Sequence, residues 1–331
     1  MKQNIFKDME IDIDNANLDE ATKEKLLRNV LKLKNQKVNL MITGATGCGK
    51  SSAINAMFKL EVAKVGVGVD PETMEIQKHE LDNLILWDSP GLGDGKEKDI
   101  QHSKGIIKKL NELDENGKPL IDLVLVILYG GSRDLGTSYE LINSVIIPNL
   151  GENAKDRILI AINQADVAMG GRYWNFENNK PAPKLEAFLE DKVQSIKKRV
   201  KEATGVDVEP IYYSAGFKDD DEPQRPYNLS KLLYYIVKNT PSEKRLSYMN
   251  SISDEKEMWK DDDELIDYRE EVQKTFAQTI IETAKDGGLI GKELGDIFGI
   301  GKTGEAIGKV VGGVVGAVKS VVSSVTGWFG F

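Results

Sequence analysis

A glycine-rich segment near the start of the chain has the residue types and spacing needed to hold phosphate groups. Residues 44–51 read Gly-Ala-Thr-Gly-Cys-Gly-Lys-Ser, which fits the pattern Gly-x-x-x-x-Gly-Lys-Ser. The glycines let backbone N–H groups turn toward phosphate oxygens, Lys50 can reach the β- and γ-phosphates, and the Ser51 hydroxyl can ligate Mg²⁺. The segment predicts a nucleoside-triphosphate loop, whose expected contact residues are Gly44, Ala45, Thr46, Gly47, Cys48, Gly49, Lys50, Ser51 and Ser52.

The elements on either side of this loop give the motif its context. An apolar run over residues 38–43 predicts a buried strand. Residues 52–58 predict a helix whose apolar face is formed by Ile54, Met57 and Phe58. A strand, a glycine-rich turn and a helix place a bound phosphate at a helix N-terminus, where N–H groups and the helix dipole favour anions. The alternative interpretation is a glycine-rich turn that holds no ligand.

Further residues predict a magnesium site and a nucleotide switch. Asp88 follows a predicted strand over residues 84–87, and a carboxylate in that position can hold Mg²⁺ through water. Gly91 can offer its N–H to the γ-phosphate. Thr73 is the only serine or threonine between Ser52 and Asp88, so it is the candidate hydroxyl that ligates Mg²⁺ while the γ-phosphate is present. Its alternative role is that of an ordinary loop threonine. The expected metal ligands are Ser51, Thr73 and Asp88.

Two later segments indicate which base is bound. Asn163, Gln164 and Asp166 follow a predicted strand at 157–162, and Ser214 and Ala215 follow another at 208–213. The Asp166 carboxylate can accept hydrogen bonds from the N1–H and the 2-amino group of guanine, and the Ala215 N–H can donate to guanine O6. Adenine offers neither feature, so these residues predict guanine rather than adenine.

The alternation of strands and helices predicts the fold class. Helical patterns at 98–112, 136–147, 183–202 and 228–238 separate the strand patterns. This order favours an α/β fold with a doubly wound, mainly parallel sheet and a helical C-terminal appendage. Ligands of such sheets bind at the carboxyl ends of the strands, where the residues above lie. The expected divisions are an N-terminal helical segment at 1–36, the sheet domain at 37–240, a charged helical segment at 241–286 and a tail at 287–331.

Composition narrows the classes of partner. The net charge of −9 over 331 residues predicts no DNA partner and disfavours RNA or a ribosome. The N-terminus lacks the apolar core of a signal peptide, and no long uncharged apolar stretch predicts a spanning helix, so a cytoplasmic location is expected. Cys48 is the single cysteine, which excludes an intrachain disulfide. Its side chain is either a small filler or a redox switch of the loop.

Taken in order, the motifs around Gly44–Ser51, Thr73, Asp88–Gly91, Asn163–Asp166 and Ser214-Ala215 resemble those of a known family. The chain is similar to P-loop GTPases of the translation-factor-related class, with Era-like and septin-like bacterial GTPases most similar. Within that class it resembles prophage-associated bacterial GTPases that are related to immunity-related and dynamin-like GTPases. The resemblance implies the P-loop GTPase fold, GTP or GDP with Mg²⁺ as ligands, hydrolysis of GTP, and a GTP-dependent homodimer as a partner state.

Two positions depart from the family pattern. Gln164 stands where these GTPases usually carry a lysine whose stem packs over the base, which implies weaker guanine binding. Leu92 stands where Ras-like enzymes carry the glutamine that orients the attacking water. The catalytic group is therefore expected from elsewhere, such as a second GTPase domain. Arg133 could stabilise phosphate charge, although a salt bridge with Asp134 is the simpler interpretation. The expected catalytic residues are Lys50, Thr73, Gly91 and Arg133.

Other polar residues are predicted to be structural. His79 and His102 share no metal-ligand spacing and are predicted to lie at the surface or at an edge. The acidic runs 219–222 and 261–264 lack the spacing of a calcium loop and are predicted to be solvated loops or helix starts.

The C-terminal quarter has a different composition. Residues 241–285 carry 12 acidic and 7 basic side chains and predict one or two exposed helices that pack back on the sheet domain. In the tail 287–331, Ile307, Val311, Val314, Val318, Val321, Val325 and Trp328 form a heptad seam. The tail could dock on its own domain, insert shallowly into a membrane surface, or pair with itself or a partner.

Overall fold

A six-stranded sheet forms the centre of the computed structural model. The structure describes residues 5–15, 19–59, 76–93, 95–132, 135–217 and 223–286. The sheet contains β1 (Val38–Gly44), β2 (Gln77–Leu81), β3 (Leu84–Asp88), β4 (Leu123–Tyr129), β5 (Ile158–Asn163) and β8 (Ile211–Tyr212), while β6 (Trp174–Asn175) and β7 (Lys180–Pro181) form a separate hairpin. The strand order is β2–β3–β1–β4–β5–β8, and only β2 runs antiparallel to its neighbour. The predicted mainly parallel sheet is therefore confirmed.

Helices cover both faces of this sheet. They are α1 (Ile5–Asp14), α2 (Glu20–Asn35), α3 (Lys50–Met57), α4 (Lys96–Leu110), α5 (Gly136–Glu140), α6 (Ala154–Arg157), α7 (Pro183–Thr204), α8 (Leu229–Asn239) and α9 (Tyr268–Asp286). Short 3-10 segments lie at Ile147–Asn149, Ala165–Gly171, Ser242–Tyr248 and Lys256–Trp259. The doubly wound arrangement explains why β1 and β5 are buried throughout and why β4 is buried up to its last residue, Tyr129.

Alternate side chains of each central strand enter two separate cores. In β1, Leu40 and Ile42 point to one core, and Met41 points to the other. The first core is shared by α1, α2, α3, α8 and α9, and the second by α4, α5 and α7. The period of two in a strand thus assigns neighbouring residues to opposite faces. Both cores hold the carboxyl edge of the sheet in place.

The charged segment after residue 241 contributes large buried side chains to the first core. Trp259, Phe276 and Val272 are 1 % or less exposed. The prediction that this segment packs back on the sheet domain is confirmed, but the prediction that its helices are exposed is wrong for these faces. The burial of these faces was not predicted because the overall charge of the segment is high. Its few apolar residues lie on one side of each helical turn.

Residues 5–14 form α1 within the predicted N-terminal helical segment 1–36, and Phe6, Met9 and Ile13 of this helix are buried. Two element predictions differ from the structure. The strand predicted at 208–213 is limited to Ile211–Tyr212, since Pro210 has no N–H to donate to a neighbouring strand. The helix predicted at 136–147 is α-helical only to Glu140 and continues as a π-helix over Leu141–Ile146.

Several predicted features lie outside the described residues. These are Thr73, Arg133, the acidic run 219–222 and the tail 287–331. Within the part of the chain that the structure describes, no helix has the length and apolar character needed to cross a membrane.

Candidate functional site

The phosphate loop connects the end of β1 to the start of α3. Gly49 caps α3 in the left-handed region with a φ of 86°, and Gly47 has a φ of 75°. Because residues with a Cβ rarely adopt such angles, these glycines let the chain reverse within a few residues. The turn places the first N–H groups of α3 at the carboxyl edge of the sheet, where a helix N-terminus favours anions.

Close packing also requires glycine in this loop. A Cβ on Gly44 would overlap the carbonyl oxygen of Ile127 in β4, and a Cβ on Gly49 would overlap the side-chain amide of Asn163. The loop is thus held between β4 and the last residue of β5. The motif and the tertiary packing demand glycine at the same positions.

The Cys48 side chain faces the first core. It is fully buried, and this burial raises the pKa of the thiol, although the charge of Lys50 opposes the shift. A buried neutral thiol reacts slowly, because the thiolate is the nucleophilic form. The structure therefore favours a packing role for Cys48 over a redox switch.

Lys50 and Asp88 lie close enough at the phosphate loop to interact electrostatically. The Lys50 ammonium group donates to the carbonyl oxygens of Gly44 at 3.3 Å and Ala45 at 3.2 Å. Asp88 ends β3 beside Ile42 of β1. Burial raises the pKa of Asp88, and the positive charge of Lys50 partly offsets this effect.

The surroundings of Asp88 fit a hard cation. Its Oδ1 atom is buried and has no hydrogen-bond partner among the described residues. Mg²⁺ takes oxygen ligands and often keeps water between itself and a carboxylate. Ser51 lies in the first turn of α3, after the strand that pairs with β3, so a hydroxyl and a carboxylate are available at one edge of the sheet.

The segment after β3 pairs with the phosphate loop. The Leu92 N–H donates to the Gly44 carbonyl at 3.3 Å, and the Leu92 carbonyl accepts from the Thr46 N–H at 2.9 Å. Gly91 lies so close to Thr46 that a Cβ on Gly91 would overlap that residue. Leu92 is itself 5 % exposed and offers no polar group that could orient water.

His102 of α4 lies beside the candidate site, although the sequence predicted that it lies at the surface or at an edge. The side chain is 3 % exposed, and its Nδ1 atom lies 3.1 Å from the carbonyl oxygen of Gly91. The prediction of a surface residue is therefore wrong. His102, Ile106 and Leu110 form one buried stripe of α4, and this i, i+4, i+8 spacing could have identified it. His79 lies on the edge strand β2, as predicted.

Asp166 and Ser214 meet at the opposite end of the site. Asp166 is 6 % exposed, and its Oδ1 atom accepts a hydrogen bond from the Ser214 hydroxyl at 2.6 Å. This bond fixes the orientation of the carboxylate. The Ala215 N–H, which we expected to face the base, donates to Asn163 Oδ1 at 3.0 Å in this structure.

Asn163 joins the two ends of the site through one amide group. Its Nδ2 atom donates to the Cys48 carbonyl at 3.0 Å, while its Oδ1 atom accepts from Ala215. Gln164, in the left-handed region with a φ of 59°, donates from Nε2 to the Gly47 carbonyl at 3.1 Å. Gln164 thus uses its amide to contact the phosphate loop, in the position where a lysine was expected.

The acidic run at 261–264 is built into the domain. Asp261 Oδ2 accepts from Arg225 Nε at 2.9 Å, and Asp263 Oδ2 lies 2.6 Å from Lys231 Nζ. The Asp263 side chain is 5 % exposed. The prediction of solvated acids is therefore wrong for Asp261 and Asp263, because their basic partners lie more than 30 residues away in sequence.

This acidic run supports the base side of the site. Ser214 and Tyr227 exchange backbone hydrogen bonds, each 2.9 Å long. Tyr227 in turn forms a bridge with Asp261, whose carboxylate also accepts from Asn179 at 2.8 Å. The segment before α9 therefore holds the loop that carries Ser214 and Ala215. No sequence spacing indicated this contact.

Lys192 of α7 supports the loop that follows β4. Its ammonium group donates to the carbonyl oxygens of Gly130 and Ser132, both at 2.7 Å, and burial lowers its pKa. The Gly130 N–H donates to the Asn163 carbonyl at 2.7 Å. Lys192 therefore stabilises the base side indirectly, and sequence analysis gave no reason to select it.

The sheet order and the phosphate loop together are those of a P-loop GTPase fold. Residues 39–164, less than half of the chain, match the family described as 50S ribosome-binding GTPase. The matched region contains the phosphate loop, Asp88, Gly91 and Asn163. It is similar to the G domain of that family.

Curated relatives are bacterial. The chain is 29 % identical over 156 residues to the uncharacterized protein YkfA of Escherichia coli K12, covering 46 % of this chain and 50 % of that protein. It is 27 % identical over 180 residues to YfjP, an uncharacterized protein of the same organism, covering 52 % and 58 %. It is 32 % identical over 94 residues to dynamin-like protein 1 of Campylobacter jejuni, and the match covers 26 % of this chain and 13 % of that protein. The chain thus spans about half of the length of YkfA and YfjP and 13 % of the dynamin-like protein.

Solved structures resemble this fold at low identity. Toc33 from Arabidopsis thaliana in complex with GDP and Mg²⁺ is 16 % identical, with a TM-score of 0.40, covering 73 % of this chain and 98 % of that one. The LeoA bacterial dynamin GTPase from ETEC is 14 % identical, with a TM-score of 0.39, and the match covers 86 % of this chain and 48 % of that one. With TM-scores below 0.5, these likenesses carry no functional conclusion.

Proposed function

We propose that this protein binds GTP and GDP with Mg²⁺, hydrolyses GTP slowly by itself, and acts as a nucleotide switch. The main support for the proposal is that Asn163 connects the phosphate loop with the loop on the base side. Its amide contacts the phosphate loop at Cys48 and the base-side loop at Ala215, beside the oriented carboxylate of Asp166. A ligand that has both phosphates and a guanine base fits the two halves together.

Each predicted residue has a role in this proposal. Lys50 contacts the β- and γ-phosphates, and Ser51, Asp88 and Thr73 hold Mg²⁺ directly or through water. Gly91 donates its N–H to the γ-phosphate. When bound, Mg²⁺ neutralises phosphate charge. Arg133 is a candidate for further charge stabilisation.

Binding of the γ-phosphate is coupled in this proposal to the segment after β3. The backbone bonds between Leu92 and the phosphate loop, and the contact of Gly91 with Thr46, support such coupling. Because Leu92 cannot orient water, we expect fast hydrolysis to require a second copy of the chain or another partner. The alternative is a GTP-binding assembly module with little hydrolysis of its own, as in septins.

Other partners and the finer classification are also proposals. A place among Era-like, septin-like and prophage-associated GTPases is consistent with the motifs. The description of the matched family names the 50S ribosome, whereas the net charge of −9 and the acidic segment 241–285 disfavour an RNA or ribosome partner. Residues 287–331 are proposed to contact a membrane surface or a partner, and no DNA contact is expected.

Nucleotide competition tests the guanine assignment. We expect GTP and GDP to displace a fluorescent GDP analogue at least about 100-fold better than ATP, because adenine lacks the donors for Asp166. In Asp166→Asn the amide donor matches the 2-oxo group of xanthine, so the variant should prefer XTP over GTP. Equal competition by ATP and GTP would contradict the role of Asp166.

Hydrolysis at several protein concentrations separates the two functional alternatives. Phosphate release per molecule should rise steeply with protein concentration if a second copy completes the site. The absence of release at all concentrations, with intact GTP binding, would support the assembly module. Lys50→Ala should bind GTP poorly in either case, and normal binding by that variant would contradict the phosphate-loop assignment.

A further inference from the structure

Helix α4 holds the segment that follows β3 with two side chains. His102 Nδ1 lies 3.1 Å from the Gly91 carbonyl oxygen, and Asp99 Oδ1 accepts from the Gly93 N–H at 2.8 Å. Residues 99 and 102 are three positions apart, so they lie on one face of the helix. A single turn of α4 therefore contacts both Gly91 and Gly93.

The contact of His102 continues into the phosphate loop through one peptide group. A carbonyl oxygen can only accept, so the Nδ1 atom of His102 carries the hydrogen of this bond. The same peptide group donates its N–H, which belongs to Leu92, to the Gly44 carbonyl at 3.3 Å. The peptide between Gly91 and Leu92 is thus held at its oxygen by α4 and at its nitrogen by the phosphate loop.

Gly91 is fixed in place while its own N–H stays available. This N–H forms no hydrogen bond with a described residue. Gly91 packs so closely on Thr46 that a Cβ on Gly91 would overlap it, which limits the movement of Gly91. A donor that is held in place before its ligand arrives loses less conformational freedom on binding. The arrangement therefore suits a ligand group that accepts from the Gly91 N–H.

The burial of His102 indicates that its contact with Gly91 has a function beyond packing. The ring shares a buried stripe of α4 with the apolar side chains of Ile106 and Leu110. It is 3 % exposed, and its Nε2 atom is buried without a hydrogen-bond partner among the described residues. An unpaired buried polar atom lowers the free energy of unfolding. Packing alone thus favours an apolar residue at position 102, whereas the bond to Gly91 requires a donor.

We propose that His102 is a positioning residue that raises the affinity for GTP relative to GDP. By holding the peptide between Gly91 and Leu92, it keeps the Gly91 N–H in place for the γ-phosphate, which GDP lacks. Asp99 adds a smaller support, because its bond to Gly93 is exposed. The role of His102 rests on the proposed function, in which Gly91 donates to the γ-phosphate.

The experiment measures equilibrium binding of GDP and of the non-hydrolysable GTP analogue GMPPNP to the full chain with Mg²⁺. In His102→Leu, the affinity for GMPPNP should fall about fivefold to tenfold, whereas the affinity for GDP should change less than about twofold. His102→Asn places an amide N–H near the position of Nδ1 and should restore most of the ratio of the two affinities. His102→Gln, whose amide corresponds to Nε2, should not restore it. Asp99→Ala should lower the ratio about twofold.

Asn111→Ala is the matched control, because it removes side-chain hydrogen bonds at the opposite end of α4 and should leave the ratio unchanged. Thermal unfolding shows whether each variant is folded, and GDP affinity in the same sample separates lost positioning from general damage. Three results would overturn the proposal: an unchanged ratio in His102→Leu, equal losses for GDP and GMPPNP, or equal ratios in His102→Asn and His102→Gln. If the unmodified chain binds neither nucleotide, the proposed function is wrong and the role of His102 is wrong with it.

Discussion

The two halves of the candidate nucleotide site are built in different ways. The phosphate half uses consecutive backbone groups between Gly44 and Ser51, which glycines and a helix start hold in shape. The base half joins separate segments by two hydrogen bonds, one from the Ser214 hydroxyl to Asp166 and one from the Ala215 N–H to Asn163. The first half is encoded locally, whereas the second exists only when distant segments pack together.

This difference predicts that mutations in the two halves weaken GTP binding to different extents. In the phosphate half, a change that alters backbone shape should be severe, because all donors move together. In the base half, loss of one side chain should cost about one hydrogen bond, since several supports remain. Asn163 contacts both halves, so a change at Asn163 should affect both phosphate binding and base binding.

The largest effect should come from Gly49→Ala. The residue has a φ of 86°, and a Cβ there would overlap the Asn163 amide. Left-handed strain of about 1–2 kcal/mol and the displaced amide should together lower GTP affinity at least about 100-fold. Equilibrium binding measures this, and thermal unfolding checks that the variant is folded.

Gly47→Ala is the matched control. Gly47 also has a positive φ, of 75°, but a Cβ there would meet no atom within 4 Å. We expect only the backbone strain, about 1 kcal/mol, and therefore a loss of GTP affinity near fivefold. Equal losses in the two variants would show that contact with Asn163 does not matter.

A smaller effect is expected from Ser214→Ala in the base half. The variant loses the 2.6 Å bond to the Asp166 carboxylate, and a hydrogen bond to a charged group contributes about 1.5–3 kcal/mol. GTP affinity should fall about tenfold, and the ratio of GTP affinity to ATP affinity should decrease. Ser247→Ala removes another buried serine hydrogen bond, to the Gln36 carbonyl, and should leave GTP affinity unchanged.

Gln164→Ala should have a weaker effect still. It removes an exposed bond between neutral groups, from Nε2 to the Gly47 carbonyl, for which about 0.5–1.5 kcal/mol is typical. A decrease of about threefold in GTP affinity is expected in the same binding assay. Gln278→Ala, which changes an exposed glutamine on α9, serves as the control. A tenfold loss would place Gln164 among the main contacts of the base half.

The smallest effect concerns stability without ligands. Burial raises the pKa of Asp88 above its unfolded value, so the ionised carboxylate disfavours the folded state at neutral pH. In EDTA, Asp88→Asn should therefore unfold at a higher denaturant concentration than the unmodified chain at pH 7. The difference should shrink as the pH falls through the raised pKa toward 3.8. A difference that does not change with pH would exclude ionisation of Asp88 as its cause.

The fold class and the candidate functional segments can be predicted from the sequence because their signals are local. Strand Val38–Gly44 and the following glycines needed only neighbouring residues to be interpreted. His102 and the run at 261–264 were misjudged, since their environments depend on Gly91, Arg225 and Lys231. The role of Lys192 could not be predicted, because the carbonyl oxygens that it binds lie on another element.

The phosphate loop can be predicted from the chain without a structure, as can the alternation of strands and helices and the candidate residues at the strand ends. Backbone conformation and periodic burial follow from residue type over short distances. Folding is needed to show that Asn163 joins Cys48 to Ala215 and that Asp261 supports the loop of Ser214. Such contacts depend on which segments meet in space, and their partners are separated by long stretches of chain.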